Sequence, residues 1–326
     1  MVHVNERQHQ FIPCNLCGSR ESVPIRNKGR DGVLLRSVIC RECGLVWSDP
    51  RPTPQELRAY YENQYRLDYK GELEPKAKHV YRSGKVAVDR FKRLRNFLPP
   101  GCAILDVGAG SGEMVYVFRA MGFQATGFEP NEGYAKYAAN VLGLPIKPGF
   151  WQEVVIESGS QHVVTMFHAL EHMESPIDVV RHVRRWLHPD GLLVVEVPNV
   201  EAMCQHPFSQ FHPGHLYHFN HSTLERLCLK AGFQTVSRFT SKDGGNIMII
   251  ARMTSNDGAV TGGFPENYKH VETILNGHSP LRHMLTPHPY IRPVRKLVAR
   301  LEERWHAGSK SNPREVLDHL IAAKLR

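Results

Sequence analysis

The sequence predicts an α/β protein: a parallel sheet with helices on both faces, a small four-cysteine module before it and a helical extension after it. Three observations predict this. From residue 102 onward, short apolar runs alternate with amphipathic stretches, the signature of strand–helix units. A glycine-rich turn, Gly108 to Gly112, joins the first apolar run to the first helix. Upstream, Cys14-Asn15-Leu16-Cys17-Gly18 and Cys40-Arg41-Glu42-Cys43-Gly44 form two matching knuckles.

The elements follow in order. Residues 1–48 hold the paired cysteines between β-like segments. Residues 49–100 open on a proline-rich joint, Asp49 to Pro54. They continue through Tyr60, Tyr61, Tyr65 and Tyr69 into a basic amphipathic helix expected over 76–98. Val80, Val86, Phe91, Leu94 and Leu98 are read as its apolar face, and Pro99-Pro100-Gly101 stops it. The core domain spans 101–255, with strands expected at 103–107, 124–128, 145–147, 162–167 and 192–197. Helices are expected at 112–121, 131–142, 176–187 and 222–231, and an antiparallel pair at 234–240 and 246–251 closes the sheet. Residues 256–326 read as a helical extension, with helices near 291–307 and 313–325.

Composition narrows the function classes. Of 326 residues, 41% are hydrophobic and 22% charged, a globular profile. No apolar run approaches the roughly 20 residues that span a bilayer. The first residues lack a basic start followed by an apolar stretch, so a cytoplasmic protein is expected. The net charge of +9 raises the question of a nucleic-acid partner. It is carried by the flanks: residues 1–100 are +8 and 281–326 are +6, whereas 101–280 are −5. The expected core is therefore acidic, and no compact basic run marks a nucleic-acid footprint. The seven cysteines do not form a secreted disulfide framework. Cys102, Cys204 and Cys228 read as packed thiols.

Ala103 to Val107 followed by Gly108-Ala109-Gly110-Ser111-Gly112 reads as strand, tight turn and helix start. In an open α/β sheet such a loop lies at the carboxyl end of the first strand, where ligands bind. Dinucleotide sites use similar glycine spacing, so the loop alone leaves two cofactors open. Asp106 ends the strand, where its carboxylate can order the loop and meet a cationic group. Glu129, 17 residues beyond Gly112, ends the next strand and can accept both hydroxyls of a ribose. The full string, with Gly127-Phe128-Glu129-Pro130, resembles motif I and the acidic motif of class I S-adenosylmethionine (SAM)-dependent methyltransferases. The resemblance implies a Rossmann-like sheet and SAM held by Asp106, Gly108, Gly110, Gly112 and Glu129. Phe150 or Trp151 would stack on the adenine, or would pack the core.

Ten of the 19 histidines fall between 162 and 221. The string His168-Ala169-Leu170-Glu171-His172 resembles the segment after the fourth strand in a large methyltransferase subfamily that includes small-molecule and sugar methylases. It implies that His168 lies beside the methionine part of SAM. His172 reads as structural. Gln210 to Phe219 resembles another segment of the same subfamily. In nucleotide-sugar C-methyltransferases that segment reads Tyr-His-Glu-His-Leu, and its final histidine is the general base. That histidine is His215 here, and Gly214 stands where the glutamate would be. Imidazole suits the task, because its ordinary pKa lets it take a hydroxyl proton near neutrality. His215 and His168 are thus the candidate catalytic residues, and Tyr61, Tyr65, His212 and His218 are candidate substrate contacts.

Cys14, Cys17, Cys40 and Cys43 are expected to hold one structural zinc, because two such knuckles present four thiolates tetrahedrally and leave no open position. A zinc module, a proline-rich joint and a methyltransferase core in this order resemble the deoxysugar C-methyltransferases over residues 14–252. Those enzymes continue into a further large α/β domain, whereas about 70 residues follow here. With Gly214, this moves the expected acceptor from carbon to oxygen. The leading expectation is O-methylation of a sugar, nucleotide-sugar or related glycan or natural-product precursor. The alternatives are an RNA methyltransferase gripping its substrate with the basic flanks, C-methylation of a ketodeoxysugar nucleotide, and a non-catalytic SAM-binding scaffold. An Asn/Asp-Pro-Pro-Tyr-type loop of amino-group methylases is absent after the fourth strand.

Overall fold

The computed structural model describes residues 10–61, 75, 77–254, 264–307 and 312–325. Its strands are β1 (Ser22–Lys28), β2 (Leu34–Cys40), β3 (Val46–Ser48), β4 (Ala103–Val107), β5 (Gln124–Glu129), β6 (Ile146–Pro148), β7 (Gln161–Phe167), β8 (Leu187–Pro198), β9 (Tyr217–His218), β10 (Phe233–Thr240) and β11 (Asn246–Met253). Its helices are α1 (Pro54–Ala59), α2 (Ala77–Leu94), α3 (Glu113–Ala120), α4 (Glu132–Asn140), α5 (Pro176–Trp186), α6 (His221–Lys230), α7 (Pro265–Gly277), α8 (Pro280–Met284), α9 (His288–Ala307) and α10 (Pro313–Leu325). The architecture is mixed α/β with a mostly parallel central sheet. The chain forms two compact units interleaved in sequence. Unit one takes the chain up to Ala59, then His168–Arg184 and Val195–Ile291, and unit two takes the remainder.

In unit two, strands β8, β7, β4, β5 and β6 lie side by side in that order. β4 runs parallel to β5 and β7, and β5 parallel to β6. β4 reads Ala-Ile-Leu-Asp-Val and β7 ends Val163-Val164-Thr165-Met166-Phe167, continuous runs suited to strands covered on both faces. Ile104, Val107, Val163, Val164 and Met166 are fully buried. Phe91, Phe118 and Phe123 pack edge to face beside them.

The α2 helix ends at Leu94, four residues short of the expected stop. Val86, read from the sequence as part of its apolar face, is 43% exposed. At 100° per residue it falls about 120° from Val80 and about 140° from Phe91, so the face is completed by Ala87 and Val88 instead. Arg82 makes a bidentate ion pair with Glu303 at 2.7 and 2.8 Å, tying α9 to α2.

Unit one contains an antiparallel sheet in the order β1-β2-β3-β9. Ile39, Val46, Val200, Phe211, Val271 and Leu275 form its core. The last strand is the unexpected one. β9 is only two residues long and carries no strand signal, yet Val46 pairs with His218 and Trp47 with Tyr217. The N-terminal cysteine segment therefore shares its sheet with the histidine-rich segment 170 residues downstream. β10 and β11 pair antiparallel as expected, beside β8, whose last residues belong to this unit. α7 and α8 had no counterpart in the sequence reading. α7 earns its place through buried Asn267, which donates to the Cys43 carbonyl at 2.8 Å.

Candidate active site

Of the expected cofactor residues, Asp106, Gly108, Gly110, Gly112, Glu129, Phe150 and Trp151 belong to unit two and His168 to unit one. β4 ends in Asp106-Val107, and the turn after it uses left-handed backbone at Gly108, Gly110 and Gly112 (φ 71°, 58° and 91°). Gly112 is doubly constrained, because a Cβ there would lie 2.6 Å from Leu144 Cδ1. Glu129, at the end of β5, is buried and clasps this turn: Gly110 N–H donates to Oε2 at 2.9 Å and Asn131 N–H to Oε1 at 3.2 Å. The acidic residue is thus held by backbone at both oxygens.

Asp106 is buried beneath the turn, and the Thr165 hydroxyl donates to its Oδ1 at 2.6 Å. Burial pushes its carboxyl up to about 7, against the lowering effects of the Thr165 hydrogen bond and Arg90. Thr165 escaped the sequence reading, because its link to Asp106 needs the β4–β7 register that pairs the two residues. The segment carrying Phe150 and Trp151 follows β6 and is anchored by Gly149 N–H to the Glu129 carbonyl at 3.1 Å. Both rings are partly buried. Tyr61 is partly buried and packs edge to face with Tyr60; Tyr65 lies outside the described residues.

The candidate histidines come together in unit one around a residue that the sequence reading left in the background, Glu171. This carboxylate is buried. His168 Nδ1 lies 3.3 Å from its Oε1, and His172 Nε2 lies 3.9 Å from the same atom. Burial raises the Glu171 carboxyl, but the His168 hydrogen bond and the charges of His172 and His168 outweigh it and hold the carboxyl below its ordinary value. His168 adopts a left-handed backbone (φ 53°), which is strained for a residue with a Cβ. Its Nε2 lies 3.3 Å from Glu196 Oε1. An imidazole with a carboxylate at each nitrogen is arranged to donate rather than to accept a proton.

His215 stands opposite. Its ring lies 4.8 Å from that of His172, 5.3 Å from His212 and 6.1 Å from His218. Its Nδ1 is buried without a hydrogen-bond partner among the described residues. Burial, then the neighbouring histidines, push its imidazole well below the ordinary value, and burial lowers His218 to about 4. His212 Nδ1 accepts from Gly214 N–H at 3.0 Å, which shapes the turn before His215. The backbone of this segment is gripped from the cysteine side. Ser48 N–H donates to the Leu216 carbonyl at 3.0 Å, the Ser48 hydroxyl to the His215 carbonyl at 3.3 Å, and Arg51 to the Tyr217 hydroxyl at 2.8 Å.

Among the described residues, two groups of side chains could hold a metal: the four cysteines, and Glu171 with His172 and His215. In the first, Cys14 and Cys43 Sγ are 3.5 Å apart, as are Cys17 and Cys40 Sγ. A tetrahedron with 2.3 Å metal–sulfur bonds has edges of about 3.8 Å, so the thiols fit such a centre. Asn15, inside the first knuckle, donates to Ser175 and accepts from Ile177 N–H at the start of α5.

Comparison with known proteins finds similarity to methyltransferases. Residues 78–238 match a family model described as a methyltransferase domain. The C-methyltransferase NovU of Streptomyces niveus is 26% identical over 227 residues, covering 68% of this chain and 51% of that protein. A ubiquinone biosynthesis O-methyltransferase of Caulobacter sp. (strain K31) is 31% identical over 161 residues, covering 47% of this chain and 58% of that protein. The chain thus spans about half the length of the curated relatives it matches. Among solved structures, a SAM-dependent methyltransferase from Aquifex aeolicus aligns with a TM-score of 0.43 at 16% identity, over 62% of this chain and 99% of that one.

Proposed function

We propose, on the premise that residues 78–238 match a methyltransferase domain, that the protein is a class I SAM-dependent methyltransferase that moves the SAM methyl group to a hydroxyl oxygen of a small polar metabolite of the sugar, nucleotide-sugar or glycan-precursor class. The observation that carries the cofactor half is Glu129, buried and clasped to the glycine turn by Gly110 and Asn131. It would take the ribose hydroxyls, with Asp106 facing the cationic end of SAM and Phe150 or Trp151 the adenine. The acceptor half rests on the cluster of Glu171, His172 and His215, on which loss of the hydroxyl proton would depend. SAM brings its own leaving group, so orientation and removal of that proton are what the protein must add. Tyr61, His212 and His218 are proposed acceptor contacts.

The four cysteines would bind a zinc ion as a closed structural centre, and the β3–β9 pairing would pass its rigidity to His215. The name of the Streptomyces relative favours a second reading, carbon methylation. Gly214 speaks for oxygen, since the glutamate expected beside the base is missing.

Incubation with ¹³C-methyl SAM and a panel of nucleotide sugars, followed by NMR of the product, tests the proposal. An O–CH₃ carbon shift is expected. A C–CH₃ shift would establish the second reading. Calorimetry that finds no SAM binding would overturn both.

A further inference from the structure

We infer that Glu171, His172 and His215 form a second metal site, separate from the four cysteines, that binds a divalent transition-metal ion and keeps coordination positions open. Their donor atoms lie within 4.8 Å of one another. Three features of the cluster go beyond proximity. His172 Nδ1 lies 2.7 Å from the Gly214 carbonyl, which can only accept, so Nδ1 carries the hydrogen. The lone pair of a neutral His172 is then on Nε2, directed toward Glu171 Oε1 at 3.9 Å. A carbonyl that fixes the far nitrogen of a histidine is the outer-sphere support that metal-bound imidazoles use.

The second feature is Glu171 itself. The side chain is 1% exposed, and its Oε2 accepts no hydrogen bond from any described residue. A buried carboxylate oxygen left bare is costly, and a cation at that atom offsets the cost. The third is His215 Nδ1, a second buried atom without a hydrogen-bond partner among the described residues, on a residue of the same cluster. A bare carboxylate oxygen, an unpartnered imidazole nitrogen and a histidine oriented by a backbone carbonyl thus belong to three residues that each bring a ligand atom within 4.8 Å of the others.

The donor set selects the ion. Two imidazoles and one carboxylate suit zinc, iron(II), manganese or cobalt, whereas magnesium and calcium prefer oxygen alone. Three protein ligands leave room for one or more exogenous oxygen ligands, in contrast to the closed set of four thiolates. A hydroxyl bound there would lose its proton to solvent more readily than a free one. This role rests on the reading of the cluster as the acceptor-activating site. The existence of the site does not.

The test is metal content and cobalt spectroscopy of the full chain. Wild type dialysed against micromolar zinc and then metal-free buffer is expected to carry two zinc ions per chain, and Glu171→Gln and His172→Gln one each. Cobalt added after the first equivalent is expected to give weak visible bands without sulfur charge-transfer intensity, lost in both variants. Retention of the cysteine-bound metal and an unchanged melting temperature show that the variants fold. One zinc ion in wild type, or a second-equivalent cobalt spectrum unchanged by His172→Gln, would overturn the inference. Full methyl transfer by protein holding only the cysteine-bound metal would show that the cluster acts without a cation. That result would remove the metal's role while leaving the proposed function intact.

Discussion

The four-cysteine site and the Glu171 cluster lie in the same unit and are built from opposite materials. The cysteine site is spelled out locally: two knuckles, each closed within four residues, with every donor facing the others. The histidine–glutamate cluster joins residues 44 positions apart, leaves Glu171 Oε2 and His215 Nδ1 unpaired among the described residues, and strains its own backbone at His168. One arrangement is saturated and suited to holding a fold. The other retains unspent binding capacity, as a reactive site must. β3 leads away from the second knuckle and pairs with β9, so the cysteine segment and the segment that carries His215 share one sheet.

This division can be broken at four points. The largest effect is expected from Cys40→Ser, which removes a ligand from the saturated site. It should cost on the order of 5 kcal/mol or more, read as loss of metal and rapid proteolysis of residues 10–51. A stable, protease-resistant variant would show that the cysteines do not hold the fold.

His215→Ala should leave stability nearly unchanged and lower kcat by about 10²–10⁴-fold, measured as SAM turnover with the melting temperature as control. A collapse in stability with normal specific activity of the folded fraction would exchange the roles of the two sites.

The third prediction concerns the cofactor pocket. Burial raises Asp106 to about 7 in the folded chain from an ordinary 3.8. Its protonated form is favoured by folding, so this group's contribution to stability is full below the unfolded value and is lost as pH rises from about 4 through 7. Binding of cationic SAM has the opposite sense, because it needs the carboxylate. Affinity should therefore rise about 10-fold between pH 6 and pH 8 and level off above. Calorimetry across that range reads it, and Asp106→Asn should flatten the profile.

The smallest effect is expected from Arg51→Met, which removes the hydrogen bond to the Tyr217 hydroxyl beside β9. A loss of about 1–2 kcal/mol with a modest fall in kcat would show that the cysteine-side grip tunes the cluster.

What could be read from the sequence follows the same division. The glycine turn, Asp106, Glu129 and the cysteine knuckles are legible because their geometry is local: a strand end, a tight turn, a fixed Cys-x-x-Cys spacing. Val86 lies a third of a turn or more from Val80 and Phe91, so it faces away from the apolar side and is exposed. Thr165 needed the β4–β7 register. The pairing of Trp47 with Tyr217 carries no sequence signal at all, since two residues are too few to show alternation. Glu171 stood in plain view between His168 and His172. Its importance lies in its burial and in the approach of His215 from a distant loop, and both are set by tertiary structure.

The central claim is that SAM is spent on a small hydroxylated metabolite. It is tested most directly by supplying methyl-labelled SAM to the protein with a mixture of nucleotide sugars and structured RNA, and weighing where the label goes. Label is expected in the low-molecular-mass fraction as a single added methyl group, abolished by His215→Ala. Label in the RNA fraction, with the small molecules unmodified, would contradict it.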